Sequence, residues 1–439
     1  MSLSPALGGS AAKFLSVALG LLGDPGAADP PGSKTPLPPD SLALELREEE
    51  ALRETLPLLS EEADEGDLWD ALKNGTFRVR GRYRYEDVTD DAFDRDARSS
   101  TFRGTMRYES GTYRGVRAVV ESETVAFVGN DLFNSTTNGV TDRPVVADPE
   151  GTEINQAYLE MGERAQVRVG RQEISLDNHR FVGSVPWRQN FQSFDAISVR
   201  SSVAETSLFY AYLHNTNRIF GDDNPNGDAR MDSHLVNVSH GWEGLKLTGY
   251  WYYLDSSNLA AFSTSTVGAR AVGKVPLPGP WKLSCTGEYA QQSDVENNPN
   301  DVDAGYLFAE VVGGYENVNL KVGYEVLEGS ADAGDKFSTP LATLHKFNGW
   351  ADQFLVTPDG GLEDLHVSVG GSFDGNTWAA IYHTFTGNES GDDLGTEIDL
   401  LFKRPLTEHV NLGIKFAAYD ADTFSTDSRR FWVWLDFLP

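Results

Sequence analysis

The sequence predicts an all-β fold, a transmembrane antiparallel up-and-down β-barrel of about eighteen strands with long extracellular loops, and three observations predict it. In residues 77–85, Arg78, Arg80, Arg82 and Arg84 alternate with Phe77, Val79, Gly81, Tyr83 and Tyr85, the period-two pattern of a strand with two different environments. Four guanidiniums in a dry core would each be an unpaired buried charge, so that face must meet water or counter-charges while the other seeks apolar surroundings. Second, strand-like segments of about nine to fourteen residues follow one another to the end of the chain, the length of a tilted membrane crossing rather than of a soluble strand. Third, the connections between them alternate between short and long around an even strand count, the layout of an outer-membrane barrel.

The elements follow in order. In residues 1–28, Lys13 precedes an apolar run, 14–22, and the small residues Gly26, Ala27 and Ala28, which reads as an export signal or else as a disordered tail. Residues 29–75 hold a Pro-rich linker at 30–39 and then an acidic, Leu-containing helical lead-in over 42–72, stopped by Asn74-Gly75. The barrel is expected over 76–439, with strands at 77–86, 99–109, 113–127, 152–162, 165–173, 192–200, 206–214, 231–240, 244–254, 264–275, 279–291, 302–313, 317–327, 363–373, 376–386, 393–403, 409–420 and 428–437. Tight turns near 110–112, 163–164, 201, 241–243, 276–278, 314–316, 374–375 and 404–408 lie on one side, together with both termini, and that side is expected to face the periplasm. The long loops 128–151, 175–191, 215–230 and 329–362 lie on the other.

Composition narrows the function. With 36 Lys and Arg against 66 Asp and Glu, the 439 residues carry a formal net charge of −30, which argues against nucleic acid or anionic headgroups as partners. The acidic residues crowd into 87–96, 148–153, 222–232 and 293–303, which read as loops. A single cysteine, Cys285, excludes an intramolecular disulfide and a Cys-based zinc cluster. No apolar run reaches the length of a spanning helix. A mean hydropathy of −0.37 does not separate a soluble protein from a barrel, because half of each barrel strand faces water.

If the apolar parity faces lipid, the opposite parity lines the lumen. Its basic members are Arg78, Arg80, Arg82, Arg84, Arg103, Arg107, Arg117, Arg168, Lys246, Lys282, Lys321 and Lys415. Its acidic members are Glu109, Glu121, Glu123, Glu160, Glu288, Glu310, Glu325, Glu397 and Asp399. The arginines concentrate on the first three strands, which should be adjacent. Such a wall lowers the entry barrier for anions, and guanidiniums match carboxylates bidentately. The other reading is a lumen-lining charge ladder in which Glu121, Glu123 and Glu160 neutralise several of the arginines. Arg171 shares parity with Val167 and Val169, so it sits beyond the membrane band or follows a bulge at Gly170.

Several stretches resemble the alginate export family of outer-membrane porins: 169–173 with 178–183, 187–190 and 194–196; 338–352; and 395–400. The resemblance runs from about Leu68 to the C-terminus. It implies a monomeric eighteen-stranded barrel, placed in the bacterial outer membrane by the barrel-assembly machinery, with an arginine-rich constriction for a polyuronate chain. That role carries over to Arg78, Arg80, Arg82, Arg84, Arg103, Arg107, Arg117 and Arg168. The expected function is passage or export of an anionic polysaccharide or other anionic solute, the closest alternative being a general nutrient porin. The chain departs from the usual terminal aromatic of such barrels by ending in Phe437-Leu438-Pro439.

The long loop carrying His345, Lys346, Phe347, Trp350 and Asp352 either folds into the mouth as a plug or gate or only caps the rim. Asp222, Asn224, Asn226 and Gly227 begin like an EF-hand loop, but Ser233 stands where the closing Glu belongs; a solvated acidic loop or a loosely bound surface calcium fits, and no other cofactor is expected. An enzyme is not expected, since the histidines show no His-Glu-x-x-His spacing and His179, His345, His366 and His383 have no obvious Ser partner. A purely structural barrel would differ by a lumen closed to ions.

Overall fold

The computed structural model describes residues 67–439; the expected export signal, the linker and most of the lead-in lie outside the described residues. A helix, α1 (Leu68–Lys73), comes first. The Asp67 side chain caps it by accepting from the Asp70 amide at 3.0 Å, and it ends at Asn74 as expected. Eighteen strands follow. They are β1 (Thr76–Asp90), β2 (Ala97–Glu109), β3 (Val116–Phe127), β4 (Gly151–Met161), β5 (Ala165–Gln172) and β6 (Ser193–Val203). Next come β7 (Thr206–Asn217), β8 (Asp228–Trp242), β9 (Leu245–Leu254), β10 (Thr264–Val275), β11 (Trp281–Asp294) and β12 (Asp303–Tyr315). The last six are β13 (Val318–Leu327), β14 (Leu362–Phe373), β15 (Asn376–Thr386), β16 (Asp393–Pro405), β17 (Val410–Ala421) and β18 (Ser428–Phe437).

Each strand pairs antiparallel with its sequence neighbours, and β18 returns to β1 from Gly81↔Phe437 to Asp90↔Ser428, so the sheet closes. Closure leaves no unpaired edge, which a barrel in hydrocarbon requires. The expected strands all appear; the first runs four residues further, to Asp90, and no other end moves by more than three residues. The segment expected to start at 113 starts at Val116, because Tyr113 and Val116 exchange backbone hydrogen bonds across Arg114 (φ 50) and Gly115 (φ 75), forming a hairpin turn. β8 begins earlier than expected, because the pairing of Asn215 with Arg230 extends the ladder beyond a register shift.

The two faces divide as the parity predicts. Val79, Met106, Leu159, Leu247, Val322, Ile398 and Leu400 are exposed on the outside. Trp242, Trp281, Tyr315 and Phe437 mark the short-turn rim, with Trp281 and Tyr315 rings 4.7 Å apart, as an interfacial belt requires. The inside differs from a simple water-filled lumen. Phe181, from the 173–192 connection, packs on Tyr250, Tyr306 and Phe337 at 5.2, 5.2 and 5.9 Å, and Phe354 packs on Phe385 at 4.4 Å. Trp432 and Trp434 face inward instead of joining the belt. The reason is that two long loops fold inside with their own apolar side chains, which need apolar partners on the wall. Gly413 makes room for one of these: a Cβ there would lie 2.0 Å from the Trp434 ring.

Ile398→Arg puts a charge on the outer face near mid-strand and is expected to destabilise the barrel by about 2–4 kcal/mol, measured by urea unfolding in lipid bilayers. A loss below about 1 kcal/mol would mean this face is not in hydrocarbon.

Candidate functional site

The alternating pleat carries the side chains of Arg78, Arg80, Arg82 and Arg84 from β1, Arg103 and Arg107 from β2, Arg117 from β3 and Arg168 from β5 to the inner face. Register holds the β1 and β2 arginines side by side, with Arg78 opposite Arg107 and Arg82 opposite Arg103. Like charges at that spacing need intervening carboxylates, and the structure supplies them. Glu109 binds Arg78 at 3.1 Å and Arg107 at 2.6 Å, and Glu121 binds Arg107 at 3.3 Å. Glu160 bridges Arg117 and Arg168, the latter at 2.7 Å, and Asp436 takes Arg82 at 2.7 Å. Arg171 faces outward at the long-loop end of β5, where it pairs with Asp195 at 2.7 Å. The wall thus combines both readings of the sequence, a basic surface and an internally paired ladder.

At mid-height the upper arginines hold a loop. Arg82 donates to the Pro186 carbonyl at 3.0 Å, Arg84 to that of Trp187 at 2.5 Å, and Arg103 to that of Arg188 at 3.2 Å. Buried carbonyls in the 173–192 connection thereby find charged donors. A third connection, 128–150, contributes Asp148, which pairs with Arg84 and accepts from the Gln189 amide at 2.8 Å. Burial opposes ionisation of Asp148, but the Arg84 and Arg188 guanidiniums outweigh it and hold the carboxyl below its ordinary range.

The 328–361 connection meets this loop in the centre. Arg188 pairs with Asp352 at 2.6 Å, and Arg430 of β18 reaches the same carboxylate at 3.3 Å. Trp187 stacks on His345 with centroids 4.6 Å apart and planes 4° off parallel. The Lys415 ammonium lies between the Trp187 and Trp350 rings, 4.0 and 3.9 Å from their centroids, and donates to His345 Nε2 at 3.2 Å. A cation between two indole faces gains from both ring quadrupoles. Lys346 reaches the Asn178 carbonyl at 3.2 Å, and Phe347 lies under the Arg180 guanidinium at 4.7 Å. All five residues expected on this loop thus make contacts with inward-facing wall residues or with the 173–192 connection.

The opposite wall is acidic. Glu325 of β13 binds Arg180 at 2.8 Å and Asn348 at 2.6 Å. Glu397 and Asp399 of β16 accept from the Ala351 and Trp350 amides at 2.7 and 3.2 Å. The loops are thus seated between guanidiniums on one side and carboxylates on the other. Sequence reasoning missed Trp187, Arg188, Glu86, Asp148 and Arg430 as parts of the constriction. Trp187, Arg188 and Asp148 lie on loops, where parity carries no signal, whereas Glu86, which pairs with Arg188 and Arg430 at 3.7 and 3.5 Å, and Arg430 itself have the inward parity of their strands, and that signal could have found them. The 222–227 stretch is a self-bonded turn in which Asn224 accepts from the Asn226 amide at 2.9 Å.

Burial drives the His345 imidazole down to about 3 from 6.5, Asp352 opposing and Lys415 and Arg188 adding to the fall. A value depressed on folding contributes stability that is present above 6.5 and is lost as pH falls toward 3. Single-channel conductance is therefore expected to hold level above 6.5 and to rise on acidification through that window, as imidazolium meets Lys415 and unseats the loop. A flat profile would show that His345 does not hold it. Lys415→Met is expected to raise conductance roughly twofold at neutral pH, with heat-modifiable gel migration of the barrel unchanged. Unchanged conductance would show that the tryptophan clasp does not constrict the pore.

The profile of the alginate export family matches residues 75–330. No curated protein matches the sequence. Among solved structures the chain is similar to Acinetobacter baumannii OccAB4, at TM-score 0.67 and 13% identity over 83% of this chain and 98% of that one. It is also similar to OccAB2 of the same organism, at 0.65 and 17% over 84% and 99%. A third is Pseudomonas aeruginosa OpdK with vanillate, at 0.65 and 12% over 83% and 98%. At these identities the likeness is one of fold. The closed eighteen-stranded barrel with its apolar outer face and charged, loop-constricted lumen is a bacterial outer-membrane channel and not an enzyme, and the chain belongs to the alginate export family.

Proposed function

We propose that this channel passes carboxylate-bearing solutes along the basic wall of β1–β5, with an anionic polysaccharide of the alginate type as the first cargo. The observation that carries this reading is the balance of charge on that wall. Arg78, Arg80, Arg82, Arg84, Arg103, Arg107, Arg117 and Arg168 outnumber Glu86, Glu109, Glu121, Glu123 and Glu160. The chain as a whole is strongly acidic, so an excess of guanidiniums here is a local feature. Arg78 and Arg168 keep side-chain exposures of 30% and 24%, and their planar donors can exchange a protein carboxylate for a uronate without leaving the wall. Successive guanidiniums on neighbouring strands would hand an anion onward, weak multi-site binding being what conduction requires.

A second reading, a porin for small carboxylates, is favoured by the seating of two loops across the middle of the barrel, which leaves less width for a polymer. Vanillate in a barrel of the same fold fits that reading, although it speaks for OpdK alone.

In planar bilayers under a salt gradient, the wild-type pore is expected to prefer anions, and Arg78→Ala with Arg80→Ala and Arg107→Ala to cut that preference by roughly twofold or more. Oligouronate added to one side should block the current of the wild type and not of the triple variant. Unchanged selectivity in the triple variant rejects anion guidance, and block by monomeric carboxylates alone selects the small-solute reading.

A further inference from the structure

Independently of the cargo, the structure assigns a transition-metal site of the Zn2+ class to Asp364, His366 and His383 on the inner wall. Their spacing along the chain gives no metal signature. The sheet register makes the cluster: His366 of β14 stands opposite His383 of β15, and Asp364 precedes His366 by one pleat on the same face. His383 Nδ1 lies 2.8 and 3.1 Å from the two Asp364 oxygens, and His366 Nδ1 lies 3.7 Å from Oδ1. One donor atom from each of the three falls within 4.8 Å of the others. Ligand atoms about 2.0–2.2 Å from a shared ion stand roughly 3–3.6 Å apart at tetrahedral or octahedral angles, so the set closes around an ion with small side-chain adjustments. Two imidazole nitrogens and one carboxylate suit zinc or a neighbouring first-row ion and not calcium or magnesium, which take oxygen cages.

Asp364 forms a close ion pair with His383 and a looser one, at 3.7 Å, with His366. His366 Nδ1 is buried with no hydrogen-bond partner, although its ring is held in place. Gly323 on β13 provides that place, since a Cβ there would come within 2.2 Å of His366 Nε2. His383 is braced from the other side by Phe385, with centroids 5.4 Å apart and planes 13° off parallel. Oriented, desolvated imidazoles of this kind lower the reorganisation needed to bind an ion. The surroundings favour a cation as well. Asp399 Oδ2 lies 3.6 Å from His383 Nε2, and Glu325 and Glu397 are buried on the flanking strands. Asn348 donates to Asp364 Oδ2 at 3.2 Å, so the site abuts the loop that constricts the pore.

The test uses the full-length folded barrel in detergent, freed of any affinity tag, stripped with a chelator and titrated calorimetrically with Zn2+, with Co2+ as the absorbing probe. One Zn2+ per chain is expected, with Co2+ bands of nitrogen and oxygen coordination. Affinity should fall by at least about tenfold in His366→Ala and in Asp364→Asn. Heat-modifiable migration on gels verifies that each variant is folded, and His366→Ala stands alone if Asp364→Asn fails to fold. Absence of uptake by the wild type overturns the assignment, and so does uptake unaltered in folded His366→Ala, which would place the ion elsewhere.

Discussion

A strand in hydrocarbon has no water to bond its backbone, so every amide and carbonyl must find a partner within the protein. The return of β18 to β1 is where this requirement is met, and the rest of the molecule follows from it. Once the sheet is closed, the pleat sends alternate residues to two different solvents. Val79, Val322 and Ile398 meet lipid, and the guanidiniums of β1 and β2 have no place to go but inward. The interior then contains charges that must be paired or wetted, and its organisation is the solution to that problem.

The solution is asymmetric. The β1–β5 wall is basic and the β13–β16 wall acidic, while β17 and β18 between them present Lys415, Arg430, Trp432 and Trp434. Two loops lie between these walls and are held by opposite means. Guanidiniums bind backbone carbonyls of 173–192, and carboxylates bind backbone amides of 328–361. Hydrogen bonds of this kind, with one charged partner, contribute about 1.5–3 kcal/mol each, so several together hold the loops in their seat. Arg188 and Asp352 join the two loops to each other, which makes the constriction one unit.

The basic ladder divides by height. Nearer the short-turn rim, Arg78 and Arg168 each pair with one carboxylate and stay partly exposed, whereas Arg82, Arg84 and Arg103 at mid-height are committed to holding a loop. One ladder of residues thus keeps partly exposed guanidiniums at one level and supports a loop at another. The fold is shared with solved barrels at low identity, so its use in this chain rests on these particular side chains.

The sequence by itself determined the strands, their order and which residues face inward, because a period of two is a local property that each segment of about ten residues displays unaided. Arg78 through Arg84 could be assigned to the lumen for that reason, as could Lys415 and Glu325. What remained illegible depends on contacts between distant segments. Parity sets Trp432 and Trp434 opposite the outward Phe431, Val433 and Leu435, but it could not show that they meet Trp187 of a docked loop rather than water. Neither could it show that Arg84 serves Asp148 and the Trp187 carbonyl rather than a passing anion. The meeting of His345 with Lys415 across the lumen was decided only by the tertiary structure, because loop docking is a long-range pairing that no local pattern encodes, whereas His366 and His383 share a hairpin whose register its two-residue turn sets locally.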